Sequence, residues 1–245
     1  DLSKISDPAK VENLTLDAKS NKIKFDLPVD LSTVGTRDKF KQLDKYVKVD
    51  KVGTISIDSV NLPALNKSAT LTMKHLPFVK TPRVLVNGKE DSSVTKIISF
   101  KNGTLTFTVT HFSTFTAAPT IGINEPANNF ETNNKSVTLK GTVSDPTSSV
   151  SAKLNNKNLG KLKVATNGAF QKEVDLEEGL NKLIVSALGF NLATASASIS
   201  GILKEKTNFV FLYLILAFLG LVALIIIIFS LSKLRKKKPI PLETA

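Results

Sequence analysis

With no cysteine among its 245 residues, this chain can form no disulfide and offers no thiol nucleophile or cysteine-ligated metal site. Tryptophan is absent, histidine occurs twice and methionine once, and 33 Lys+Arg against 21 Asp+Glu leave a formal charge of +12. Such an excess favours polyanionic partners, and the length gives room for two domains of ordinary size.

From Val11 to Thr116 the hydrophobic pattern has period two, broken by turn residues. Leu14 and Leu16 alternate with Thr15 and Asp17, and Ile23 and Phe25 with Lys24 and Asp26. Between Val29 and Val49 the alternation lapses, and Asp38–Leu43 reads as a helical turn or an irregular loop. Strand character returns at Thr54–Asp58 and Ala69–Met73. Asn87-Gly88 follows Val84-Leu85-Val86, and Asn102-Gly103 separates Ile97–Phe100 from Leu105–Val109. An Asn-Gly pair supplies the positive φ that tight hairpins need, so this region reads as antiparallel β. His75 and His111 each continue the apolar parity of a strand. That places packed, hydrogen-bonded imidazoles at the edge of a core face, with a metal pairing requiring neighbouring strands and further ligands.

Ala117-Ala118-Pro119 marks a boundary. Beyond it, strands are expected at Ile121–Asn124, Ser136–Val143, Val150–Leu154, Gly160–Val164, Ala169–Leu176, Asn181–Ala187 and Ala193–Ile199. Val137, Leu139, Gly141 and Val143 oppose Ser136, Thr138, Lys140 and Thr142, and turn signals stand at Asp145-Pro146, Asn155-Asn156, Asn167-Gly168 and Glu178-Gly179. Short alternating strands at this spacing indicate a β-sandwich. The ordered motifs Ile123-Asn124-Glu125-Pro126, Val137–Asp145, Gly168-Ala169-Phe170 and Leu176–Asn181 resemble bacterial immunoglobulin-like domains, found in tandem in surface proteins and on secreted glycosidases. One departure is Ala187-Leu188-Gly189-Phe190-Asn191, where such domains often place an acidic residue before the Gly-Asn turn; this weakens a calcium site borrowed from relatives. Leu105–Thr114 resembles the closing strand of β-domains in prokaryotic cell-surface proteins. These resemblances imply spacing, stalk or adhesion roles, not one ligand.

Chemistry-bearing motifs are missing: no Gly-rich phosphate loop, HExxH or GxSxG occurs. Carboxylates at Glu90-Asp91, Glu173, Asp175 and Glu177-Glu178 belong to turns or solvent-facing strand positions. Lysines such as Lys22, Lys24, Lys140, Lys153, Lys161, Lys163, Lys172 and Lys182 are spread along strands, without the interleaved aromatics that stack bases, so specific nucleic-acid binding is not expected. Sequons at Asn13, Asn66, Asn102 and Asn134 are no more than an Asn/Ser/Thr-rich chain produces by chance.

Phe209–Leu231 contains no charge, no proline and one glycine. As a helix it would reach about 34 Å against a hydrocarbon core of about 30 Å. Its apolar residues sum to about 5 kcal/mol in favour of insertion. Phe209 and Tyr213 belong near the outer interface; Ala217, Gly220 and Ala223 fall three apart, which lacks the close-packing helix-pair motif. Lys233, Arg235, Lys236, Lys237 and Lys238 outweigh the Lys204 and Lys206 flank, so the tail is cytoplasmic and the N-terminal region outside. An outside region of this length requires translocation, so a leader upstream or already removed is expected. Gly201–Thr207 carries no LPxTG-like motif, unlike sortase substrates.

The expected fold is all-β: two antiparallel β-sandwich-type domains at 1–118 and 119–203, the second Ig-like and the first open to continuation upstream, then a linker 204–208, a transmembrane helix 209–231 and a basic tail 232–245. The expected function is a non-enzymatic surface module serving as stalk, adhesin or envelope organiser. The alternatives are the anchoring and accessory part of a surface enzyme whose catalytic domain lies upstream, or a subunit of a surface filament or layer. Expected partners are the lipid bilayer and anionic surface polymers or other surface proteins, with no catalytic, cofactor or metal residues assigned.

Overall fold

Asparagine and glycine turn the corners of this fold. The computed structural model describes residues 5–204 and 209–235, and contacts divide the chain into two units, Asp1–Leu203 and Lys204–Ala245. The first part of the β unit runs β1 (Thr15–Asp17), β2 (Asn21–Phe25), α1 (Val34–Phe40), α2 (Leu43–Tyr46), β3 (Val47–Lys48), β4 (Thr54–Ile57), β5 (Ala69–Met73), β6 (Arg83–Val86), β7 (Lys89–Glu90), β8 (Thr95–Lys101), β9 (Thr104–Val109) and β10 (Thr114–Ala118). Two antiparallel sheets result, β1-β2-β5-β9-β8 and β3-β4-β10-β6-β7. Both expected hairpins form: Asn87 and Gly88 (φ 50° and 81°) join β6 to β7, and Asn102 and Gly103 (φ 50° and 69°) join β8 to β9.

Alternate side chains of each sheet point inward. Ile23, Phe25, Leu71, Met73 and Phe107 from one sheet share a core with Ile55, Val84 and Phe115 from the other. Phe107 and Phe115 meet edge to face at 5.9 Å, a favoured aromatic geometry. Buried Asn21 ties β2 to the loop before β4 by donating its amide to the carbonyls of Val49 (2.7 Å), Lys51 (2.8 Å) and Thr54 (3.1 Å).

Two details go beyond or against expectation. The lapse in alternation at Val29–Val49 holds two helices, the first capped by the Thr33 hydroxyl, which accepts from Thr36 N–H at 3.3 Å. Neither histidine is packed at a core edge; both are exposed. β5 stops at Met73 and His75 turns into the left-handed region (φ 57°), while His111 follows the end of β9. Because Met73 pairs with Leu105 and Ala69 with Val109, the histidines lie beyond opposite ends of the β5–β9 ladder. At about 3.4 Å per residue that separation is roughly 27 Å, which rules out a shared ligand.

The second part contributes β11 (Ile121–Glu125), β12 (Phe130–Thr132), β13 (Ser136–Val143), β14 (Ser149–Leu154), β15 (Lys157–Leu162), β16 (Ala169–Asp175), β17 (Gly179–Leu188) and β18 (Thr194–Leu203). Its sheets are β11-β13-β16 and β12-β18-β17-β14-β15, enclosing Leu139, Val143, Val150, Phe170, Leu183 and Val185. The alternation in β13 follows the expected parity, and β18 alternates likewise, with Ala195 and Ile199 buried between exposed Thr194, Ser196 and Ser198. β12 was not expected, since three residues carry no usable period, and it pairs parallel to β18. The Phe130 ring lies on Gly201, where an added Cβ would meet it at 2.2 Å. The last element is α3 (Phe209–Arg235), which runs beyond the expected end of the span.

Exposed aspartates brace the loops. Asp30, Asp58 and Asp91 accept hydrogen bonds from the side chains and backbones of Ser32, Asn61 and Ser93, and these bonds hold each carboxyl below its ordinary value. A depressed folded pKa contributes stability above the unfolded value and loses it as pH falls through the folded one. Denaturant melts are therefore expected to show stability steady near neutrality and declining below about pH 4. The Asp30→Asn/Asp58→Asn/Asp91→Asn variant should flatten that decline; an unchanged slope contradicts the assignment.

Candidate functional site

Only Pro119 and Thr120 separate β10 from β11, so the two sandwiches meet closely within the β unit. Arg83, at the start of β6, spans the junction. Its Nε donates to the Pro119 carbonyl (3.1 Å), one Nη to the Thr194 carbonyl (3.0 Å), and the other pairs with Glu90 Oε1 at 2.5 Å. From the other side, Asn191 Nδ2 donates to the carbonyls of Ala117 (2.7 Å) and Gly53 (3.3 Å). Phe190 packs edge-on to Phe78 at 5.9 Å, and Phe78 in turn meets Phe100 at 6.5 Å. Val79 N–H reaches the Ser144 carbonyl at 2.8 Å, and Leu85, Ala118 and Ala193 form a small buried cluster.

The seam explains the Gly189-Phe190-Asn191 departure. Buried Asp145 folds its own turn, with Oδ1 accepting from the Thr147 N–H and hydroxyl, and its Oδ2 accepts from Phe190 N–H at 3.3 Å. The loop is thereby presented to the first sandwich as a contact. Gly53 opposes it with φ 71°, and a Cβ there would lie 2.7 Å from the Phe190 ring. Backbone conformation and close approach both demand glycine. Asn191→Ala strips two carbonyls of a donor, a loss of about 1–3 kcal/mol. Calorimetry of the full chain should then show one unfolding transition split into two; a single unshifted transition contradicts the coupling.

Beside the seam lies a shallow groove of about 730 Å³ on the outer face of the β12-β18-β17-β14-β15 sheet. Lys161, Ser151, Ser186 and Ser196 form one row across four strands, being successive register partners. Ser186 Oγ lies 3.4 Å from Ser196 Oγ, which also reaches the Val185 carbonyl at 3.3 Å. Arg83 walls the seam end. Among the described residues no three His, Cys, Asp or Glu side chains gather as a metal-binding group.

Of the residues singled out for membrane contact, Phe209, Tyr213, Gly220 and Leu231 lie on α3, with Lys233 and Arg235 in its last turn. Lys236, Lys237 and Lys238 fall outside the described residues. Tyr213–Lys233 has a mean hydropathy of 3.2, and its side chains are exposed. The hydroxyls of Ser230 and Ser232 bond back to the carbonyls of Ile226 (2.9 Å) and Phe229 (2.8 Å). Helical hydrogen bonding and internally satisfied hydroxyls are what a hydrocarbon environment requires.

Sequence and structure thus define an all-β protein with an Ig-like sandwich and one C-terminal helix long and apolar enough to cross a membrane. Residues 119–200 match the family model for glucodextranase, domain B. No curated protein matches the chain. Among solved structures, the fibronectin(III)-like modules of Clostridium thermocellum CbhA are 17% identical, covering 35% of this chain and 99% of theirs with a TM-score of 0.29. The I9–I11 tandem from titin is 17% identical over 57% of this chain and 61% of its own, with a TM-score of 0.25. The N-terminal Ig1-2 module of the Drosophila receptor protein tyrosine phosphatase DLAR is 13% identical over 58% and 92%, also at 0.25.

Proposed function

We propose that this chain is a non-enzymatic module of a prokaryotic cell surface, with its β unit outside, its basic tail inside, and α3 as the tether. The observation that carries the reading is the exposed apolar helix ending in Lys233 and Arg235 on a chain whose remaining described residues fold as β-sandwiches. Basic residues at one end of a span favour the cytoplasm. The seam supports a stalk or adhesive role, because Arg83, Asn191 and Phe190 hold the two sandwiches together as one spacer. Partners are the bilayer and anionic surface polymers, attracted by the basic excess.

A second reading has its own support. The match to glucodextranase domain B favours an accessory part of a carbohydrate-active surface enzyme with its catalytic domain upstream of Asp1. Protease added to intact cells tests the tether common to both: the β unit should be shaved off, leaving a membrane-held stub with the tail. A β unit that resists until the cells are lysed overturns the orientation. The full reading frame separates the two readings.

A further inference from the structure

We propose that the groove beside Arg83 binds the acidic units of a linear polysaccharide. The inference rests on the surface reading above and names the partner's chemistry. Neighbouring strands stand about 4.8 Å apart, so the Lys161–Ser151–Ser186–Ser196 row spans roughly 14 Å across the sheet. The Ser196 hydroxyl donates to the Val185 carbonyl and shares a bond with Ser186, so this pair chiefly accepts, while Ser151 can both donate and accept, which suits a ligand that is itself hydroxylated. Serines in register on adjacent strands also keep this face low, so an extended chain can lie across it.

The charges select among such ligands. Among the described residues the groove lining contains no Asp or Glu. Glu90 pairs with one Nη of Arg83, while Nε and the other Nη each donate to a backbone carbonyl, so the guanidinium is held as the wall of the groove with one N–H on each Nη left to meet a ligand. Lys161 makes no ion pair among the described residues, nor does Lys153, two positions from Ser151 on β14. Among the described residues no aromatic ring lines the groove, so a neutral sugar finds no stacking platform there and bases find none either. Hydroxyls beside free ammonium groups match a uronate chain.

The test uses the full chain in zwitterionic micelles and oligogalacturonate as the probe, with dextran as the neutral comparison. Wild type should bind oligogalacturonate and not dextran. Lys153→Glu/Lys161→Glu should weaken binding at least tenfold, whereas Lys24→Glu/Lys172→Glu, with the same charge change elsewhere, should stay within threefold. Ser186→Ile fills the groove without changing charge or adding a stacking ring and should also weaken binding at least tenfold, with thermal melts confirming that each variant folds. Equal losses in both charge pairs overturn the site in favour of a diffuse field, as does retained binding by Ser186→Ile. Duplex DNA bound with the same pattern overturns the polysaccharide assignment. No binding by wild type sinks both the groove and the anionic-partner part of the surface reading, while the tether still stands or falls on the protease result.

Discussion

Replacing Gly141 by valine is expected to unfold the second sandwich. Gly141 occupies the middle strand of the β11-β13-β16 sheet, paired with Ile123 on one side and Phe170 on the other. An added Cβ would come within 2.3 Å of the Gly122 carbonyl oxygen and 2.3 Å of the Phe170 ring. The first obstacle is backbone and cannot swing aside. Overpacking alone costs about 1–3 kcal/mol, and displacing a buried phenylalanine approaches the 3–5 kcal/mol of its deletion. A domain of this size holds only about 4–12 kcal/mol in total. Calorimetry should show the single wild-type transition split, with the part belonging to the second sandwich lowered by more than about 10 °C or lost. A wild-type trace would mean that Phe170 does not cover Gly141.

The other large effect concerns α3. Leu221 and Ile225 lie one helical turn apart near the middle of the span. A lysine at the centre costs about 2.5–3.5 kcal/mol, so Leu221→Lys/Ile225→Lys adds about 6 kcal/mol against about 5 kcal/mol favouring insertion. The sign of the balance changes. The double variant should leave the membrane pellet for the soluble fraction, while Leu221→Ala/Ile225→Ala stays behind. A lysine variant still resisting alkaline extraction would contradict lipid burial of this segment.

Features set by neighbouring residues were readable from the chain. Asn87-Gly88 and Asn102-Gly103 became hairpins because only such pairs adopt two successive positive φ values cheaply. β13 and β18 followed because period two sorts their faces. β12 escaped: three residues supply no period, and its place depends on Gly201 accepting the Phe130 ring. The histidines were misplaced because parity was carried past Met73 and Val109, where the strands end.

The seam was not legible at all. Arg83 and Asn191 bind backbone carbonyls, which every residue possesses, across sequence separations of 111 and 138. The only trace was an irregularity at Gly189-Phe190-Asn191, which weakened a borrowed calcium site without revealing the contact that replaces it. Much the same holds for the groove. Each serine looks like an ordinary solvent-facing strand residue, and register alone brings Ser151, Ser186 and Ser196 side by side.

Because the chain has no cysteine, a single introduced thiol reports its own side of the membrane. Asn134→Cys, exposed before β13, and Thr244→Cys, in the tail, can be challenged on intact cells with a membrane-impermeant maleimide. Labelling of position 134 at once, and of position 244 only after permeabilisation, is the predicted result. The reverse pattern, or equal labelling of both in sealed cells, would contradict a β unit held outside by α3.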